Sequence, residues 1–245
     1  IRSCLVGSEM CIRDSDLTED QETYLLGRGV LRDEIVNINF QSWCPESPCP
    51  NNTEEGRDFS RRFGEYGKKL EDLLMTPLYS PAGKVIGVEG RSIDGSKTIM
   101  RVLSFESKWC PIWLGLGKRE MIRIWNGYDV WIVEGIFDLT TLRAVMPHVV
   151  VLGSLRANLT KKHLDFLSRF AKGSIYIAYD NDETGQKAMY GFFDPNGRRQ
   201  QGVVEKINKL RLNAIPVRYK GGKDPNEIWQ QGGYDQVRKS FANYL

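Results

Sequence analysis

From Asp129 onward, short runs that are apolar from end to end alternate with segments whose apolar residues recur at helical spacing. The runs are DVWIVEG (129–135), HVVVLGS (148–154), SIYIAYD (174–180) and NAIPVRYK (213–220). Between them lie FDLTTLRAVM (137–146), LTKKHLDFLSRFA (159–171), ETGQKAMYGFF (183–193) and a further helical piece around 201–211. A strand with no polar alternation is buried on both faces, and helices between such strands supply the cover. The rhythm therefore predicts an α/β fold with a parallel sheet flanked by helices. Ligands of such sheets gather beyond the carboxyl ends of the strands, so the polar residues there are the ones to inspect.

Acids stand at those ends. Glu134 closes the first strand, with Asp138 four residues on, and Asp180 and Asp182 follow the third. After the fourth comes KGGKDPNE (220–227), placing Lys223, Asp224 and Glu227 on a Gly-rich loop. Taken singly, each acid has an ordinary explanation: Asp182 caps a helix, Asp138 faces water, Glu134 pairs with a lysine. Together, like charges at one sheet edge repel unless a cation sits among them. Oxygen ligands without His or Cys select Mg²⁺ or Mn²⁺, and such sites assist phosphoryl or nucleotidyl transfer.

The N-terminal half has another texture. DLTEDQETYLLGRGVLRDEIVNINF (16–40) predicts two short helices behind a capping Asp or Thr, and 41–68 reads as a long loop. LMTPLYSPAGKVIGVEGRSI (74–93) is two apolar runs joined by Ser80-Pro81-Ala82-Gly83, which predicts a β-hairpin. KTIMRVLSFES (97–107) continues the β-rich section, and 115–123 leads into a helix or linker. Residues 16–125 are thus expected as a smaller α+β subdomain, 126–230 as the parallel-sheet domain and 231–245 as a C-terminal helix. Residues 1–15 begin with Ile1 and contain CLVGSEMCIRDS, which looks like translated adapter read-through. They are read as a non-native leader on a fragment, and Cys4 and Cys11 as carrying no function.

WIVEGIFDLTTLRAV, VVVLGS, IYIAYDNDETGQKA and KDPNE, in that order and spacing, resemble the Toprim domain of bacterial and phage DnaG-type primases. YLLGRGVLRDEIV and the hairpin ending in GRS resemble the start of their RNA polymerase domain. The resemblance spans roughly Asp16 to Glu227. It implies a DNA-dependent RNA polymerase making short primers during replication, with single-stranded DNA template, ribonucleoside triphosphates and a replicative helicase as partners. It also implies that Glu134, Asp180 and Asp182 are catalytic, that Glu134, Asp138, Asp180, Asp182 and Asp224 hold Mg²⁺ or Mn²⁺, and that Glu134 acts as general base or metal ligand. Arg91, Lys97, Arg101 and Lys223 are expected on phosphates, where Lys and Arg position nucleic acid without reading sequence. Asn226 stands where the family has a second acid, which puts one peripheral metal contact in doubt. Leu155 and Arg156 replace smaller residues. The rival readings are a Toprim nuclease and a non-catalytic accessory that binds single-stranded DNA.

Composition limits the classes. Lys and Arg (34) nearly balance Asp and Glu (31), so net charge alone does not signal nucleic acid. No apolar stretch approaches the roughly 20 residues of a membrane span and no export signal shows, so a cytoplasmic protein without membrane partners is expected. Cys44 and Cys49 share a Pro-rich stretch, but zinc needs two more ligands, and Cys110, His148 and His163 are scattered; no zinc site is expected. The histidines receive no role. Trp109, Trp113 and Trp125 suit core or hinge packing better than base stacking.

Overall fold

The reciprocal cap that opens the described chain shows local chemistry at work: Thr18 N–H donates to Gln21 Oε1 and Gln21 N–H to Thr18 Oγ1, both at 3.2 Å. A computed structural model describes residues 17–42, 73–96, 99–103 and 105–245, which divide into two compact units. The first comprises the chain up to Gly27 with Leu31–Cys110, the second Arg28–Val30 with Pro111–Leu245. Residues 1–16, most of the 41–68 loop with Cys44 and Cys49, and Lys97 lie outside the described residues.

In the first unit, helices α1 (Glu19–Gly27) and α2 (Arg32–Ile38) precede an antiparallel sheet of β1 (Gln41–Ser42), β2 (Leu74–Tyr79), β3 (Val85–Arg91) and β4 (Ile99–Leu103), in that spatial order. Helix α2 stops at Asn39, which takes the left-handed conformation at φ 64° that Asn tolerates. The expected hairpin is β2–β3. Its turn closes with Ser80 N–H on the Lys84 carbonyl at 2.7 Å, and Gly83 supplies the positive φ of 82°. Pro77 is tolerated in β2 because the ladder with β1 stops at Met75, so a missing donor costs nothing beyond it.

The second unit holds the expected parallel sheet, ordered β10 (Ala214–Pro216), β7 (Ile175–Ile177), β5 (Val130–Val133), β6 (Val150–Gly153). Alternation along the strands serves two cores. Val130, Ile132, Val150, Leu152, Ile175 and Ile177 meet Ile124 of α3 (Lys118–Trp125), Phe166 of α5 (Lys161–Phe170), Met189 of α6 (Glu183–Tyr190) and Ile207 of α7 (Val203–Asn208). On the other face Trp131 stacks on Tyr176 at 4.8 Å and takes Phe241 edge-on at 6.1 Å. Outside the first cluster, α4 (Ile136–Val145) packs on α8 (Pro225–Ser240). Among the described residues no helix is long and apolar enough to cross a membrane.

Three expectations shift. The break expected at 125/126 falls inside the second unit, because Trp113, Leu116 and Ile124 are buried in its core and Leu114 bridges to Gly153 at the sheet edge. The break expected at 230/231 meets only a kink at Gly232–Gly233, and Val237 and Phe241 beyond it are fully buried in the same unit. Helix α6 does not run to Phe193. It ends at Gly191, φ 83°, and the chain turns into a separate hairpin of β8 (Gly191–Phe193) and β9 (Arg199–Gln201). Of the three tryptophans expected in packing, only Trp113 is buried, while Trp109 is 76% and Trp125 54% exposed. His163 serves the fold, since its Nδ1 closes the cap of α5 at Thr160 and its Nε2 lies 2.8 Å from the Ile112 carbonyl.

Candidate active site

Parallel pairing of β5 with β7 brings their carboxyl ends side by side, and the acids after them follow. Ala178 N–H donates to the Ile132 carbonyl at 2.9 Å, and two residues on Asp180 N–H reaches Glu134 Oε1 at 3.2 Å. Asp182 caps α6: its Oδ1 accepts the Gly185 amide at 2.8 Å. The ordinary reading of Asp182 therefore holds for one oxygen. Its Oδ2 lies 3.2 Å from Lys223 Nζ, and the same ammonium lies 3.2 Å from Asp180 Oδ2.

Lys223 arrives on the loop after β10, which is pinned to the site. The Asn181 amide donates to the Lys223 carbonyl at 2.6 Å, and the buried Tyr219 hydroxyl lies 3.0 Å from the carbonyls of Tyr179 and Lys223. Asp224 then caps α8 by accepting the Glu227 amide at 2.7 Å, with Pro225 in the first turn. Asp138, in the first turn of α4, accepts the Asn226 amide at 3.2 Å and shares a hydrogen bond with the Asp224 carboxyl. Sequence reasoning placed Lys223 on phosphate; the structure places it between two carboxylates.

The charge balance is lopsided. Glu134, Asp138, Asp180, Asp182 and Asp224 share this edge, and among the described residues Lys223 is the cation that pairs with any of them. Burial first, then the charge of Asp180, pushes Glu134 up to about 7. Burial and neighbouring Asp224 hold the Asp138 carboxyl well above the usual range, and burial raises Asp180 despite Lys223. Asp182 goes the other way, lowered chiefly by the Gly185 amide. Lys223 is raised by its hydrogen bonds to Asp182 and Asp180, so it stays charged.

Among the described residues, no three His, Cys, Asp or Glu side chains converge closely enough to ligate one ion as they stand. The donor chemistry nonetheless fits a hard divalent cation: every acid offers oxygen, and an ammonium already fills the gap between Asp180 and Asp182.

Asn226 is 1% exposed and turned away from the acids, its Nδ2 donating to the Arg28 carbonyl at 2.8 Å and to Thr141 Oγ1 at 3.0 Å. Sequence reasoning missed this tether, since nothing local links residues 28 and 226. It also missed Gly185. A Cβ there would stand 2.1 Å from the Asp180 carbonyl oxygen, so the α6 start can approach the acidic loop only without a side chain. Arg156 faces solvent, and Leu155 takes a positive φ of 65°.

In the first unit, Arg91 and Arg101 flank Glu89, which is 2% exposed: Arg101 Nε lies 2.7 Å and Arg91 Nη2 3.8 Å from its oxygens. The register places Glu89 opposite Arg101 and Arg91 two residues on, so all three share one sheet face. Two guanidinium groups thus share one buried carboxylate.

Residues 131–229 match a family described as Toprim-like. The DNA primase of Clostridium acetobutylicum is 32% identical over 176 residues, which is 71% of this chain and 27% of that protein. The DNA primase of Aquifex aeolicus is 29% identical over 169 residues, 68% of this chain and 31% of its own length. The chain thus spans about a third or less of these relatives. Among solved structures, the zinc-binding and RNA polymerase domains of the Aquifex aeolicus primase superpose with a TM-score of 0.67 at 22% identity, covering 92% of this chain and 56% of that one. A DnaG primase catalytic domain bound to single-stranded DNA gives 0.60 at 17% identity, covering 92% and 71%.

Proposed function

We propose, from the premise that this chain is related to the DnaG-type DNA primases and carries a Toprim-like domain over residues 131–229, that it synthesises short RNA primers on single-stranded DNA. The observation that carries the reading is that five acids follow the carboxyl ends of parallel strands while, among the described residues, one ammonium, Lys223, bridges two of them, Asp180 and Asp182. Ribonucleoside triphosphates are the substrates, a replicative helicase the partner that delivers template, and the cytoplasm the place of work.

Asp180, Asp182 and Asp224 would hold Mg²⁺ or Mn²⁺, with Glu134 and Asp138 beside them. The bound cation neutralises charge that develops on a transferring phosphate. Helix caps hold Asp182 and Asp224 by one oxygen each, which orients the second before substrate arrives. Lys223 is the resident counter-ion. With a divalent cation on the two aspartates, the Lys223 ammonium would be free to pair with phosphate instead. Glu134 near neutrality is suited to take the proton of an attacking 3′ hydroxyl. Arg91 and Arg101, two guanidinium groups on one sheet face, hold template phosphate. Lys97 is given the same role from its position in sequence.

The test supplies single-stranded template, labelled ribonucleotides and Mg²⁺ or Mn²⁺. Short RNA products that vanish in Asp180→Ala and Glu134→Ala support the reading. Nicked DNA in place of RNA points to a nuclease, and binding without either product to an accessory role. Lys223→Ala should tighten Mn²⁺ binding several-fold in a calorimetric titration, because a competing cation is gone; unchanged affinity would remove the metal from that gap.

A further inference from the structure

The β8–β9 hairpin belongs to neither sheet and takes no part in the acidic site. Its strands pair Phe192 with Gln200 and Phe193 with Arg199. Phe193 is 69% and Phe192 39% exposed. A two-stranded ribbon has little intrinsic stability, so two bare aromatic rings on one require a reason.

The ribbon is built to stand without a ligand. At its tip, Asp194 Oδ1 accepts the amides of Asn196 at 3.0 Å and Arg198 at 2.8 Å, and Oδ2 accepts Gln200 Nε2 at 3.2 Å. At its base the backbones touch. A Cβ on Gly202 would lie 2.3 Å from the Met189 carbonyl, and one on Gly191 2.4 Å from that of Gln200. The hairpin is therefore a closed, preorganised projection from the end of α6.

Its charge is cationic. Arg199 lies over Phe193 at 5.6 Å and shares Glu205 with Lys209. Arg218 lies over Tyr190 at 5.9 Å, and Arg198, whose amide closes the turn, is exposed. Arg199 and Lys209 thus share one carboxylate, Glu205, while Asp194 is consumed by the turn, and Arg198 and Arg218 add two further cations nearby in the chain's fold. Adjacent strand residues point to opposite faces, so Phe192 and Phe193 cannot merge into the flat apolar patch that a protein partner needs. Separate rings interleaved with guanidinium groups suit stacked bases joined by phosphates.

We infer that the β8–β9 hairpin is a second binding surface for single-stranded nucleic acid, stacking a base on Phe193, with Phe192 completing the opposite face, and holding phosphates with Arg198 and Arg199. Eight residues of α6 separate it from Asp182, roughly 12 Å at 1.5 Å per residue. The inference adds to the reading above but stands on its own observations.

The experiment measures anisotropy of fluorescein-labelled oligonucleotides, one DNA and one RNA of the same sequence, with the full chain over a salt series. Phe192→Ala with Phe193→Ala should weaken binding about tenfold with the salt slope unchanged. Arg198→Ala, an exposed change that spares the fold, should reduce that slope by about 1. Whether the DNA or the RNA arm responds more identifies template or product as the occupant. Affinity and slope unchanged in both variants, with circular dichroism intact, overturn the inference. So does a fall in light-scattering mass of the phenylalanine variant at constant affinity, which would make the hairpin a self-association surface. The Asp180→Ala chain separates the two readings: it should lose primer synthesis and keep hairpin binding. Persistent synthesis would sink the acidic site while leaving the hairpin result standing.

Discussion

Asp182 gives one carboxylate oxygen to a helix and the other to a cation, so a residue whose type suits a cap need not be spent by capping. Glu134 carries the pH dependence. Its carboxyl holds a proton below about 7 and can neither accept one nor ligate there. In the metal-free chain the ionised fraction of Glu134 should therefore rise with pH through about 7, read by carboxyl NMR and absent in Glu134→Gln, and Mg²⁺ should draw that titration downward; a metal-free titration in the usual carboxylate range would refute the raised value. Stability has the opposite sign. A carboxyl raised from 4.5 to about 7 binds its proton more tightly folded than unfolded, so this contribution is full below 4.5 and is lost as pH climbs towards 7. Gly185→Ala should cost about 1–3 kcal/mol in denaturant unfolding, because its Cβ meets backbone that cannot swing aside. Arg101→Ala leaves the buried Glu89 without its shortest partner and should cost about 2 kcal/mol. That loss would appear before any change in nucleic-acid affinity.

At the scale of elements, the start of α8 is a junction. Asp224 caps it, the Asn226 amide meets Asp138 on α4, and the Asn226 side chain reaches Arg28 and Thr141. Asn226→Asp removes two donated hydrogen bonds and buries a negative charge against the Arg28 carbonyl and the Thr141 hydroxyl. The change should destabilise the chain by about 2 kcal/mol or more in chemical denaturation. A variant as stable as the parent would show that the tether contributes nothing. The four strands were legible as apolar runs, most plainly β5 and β6, where burial on both faces leaves no alternation to misread. The end of α6 was not legible, since MYGFF continues a helical pattern. Only the close approach of Gly191 to Gln200 and of Gly202 to Met189 reveals the turn.

For the whole molecule, the acids sit in only one of the two compact units. Scanning calorimetry at pH 8 with and without Mn²⁺ should show the unfolding of the unit formed by Arg28–Val30 and Pro111–Leu245 moving up, because a cation relieves repulsion present only when that unit is folded. The shift should shrink at pH 5, where Glu134 is already protonated. No movement with Mn²⁺ would count against a divalent site among these acids.

Patterning alone determined that a parallel sheet follows Asp129 and that its strand ends carry acids, because periodicity and residue type are local properties of the chain. It also marked the Ser80–Gly83 hairpin. Tertiary structure alone decided which acids meet, that Lys223 stands between Asp180 and Asp182, that Asn226 serves a backbone carbonyl 198 residues away, and that Arg91 and Arg101 share Glu89. Such pairings depend on desolvation and on distances of a few ångströms between segments remote in sequence, and no linear pattern encodes those distances.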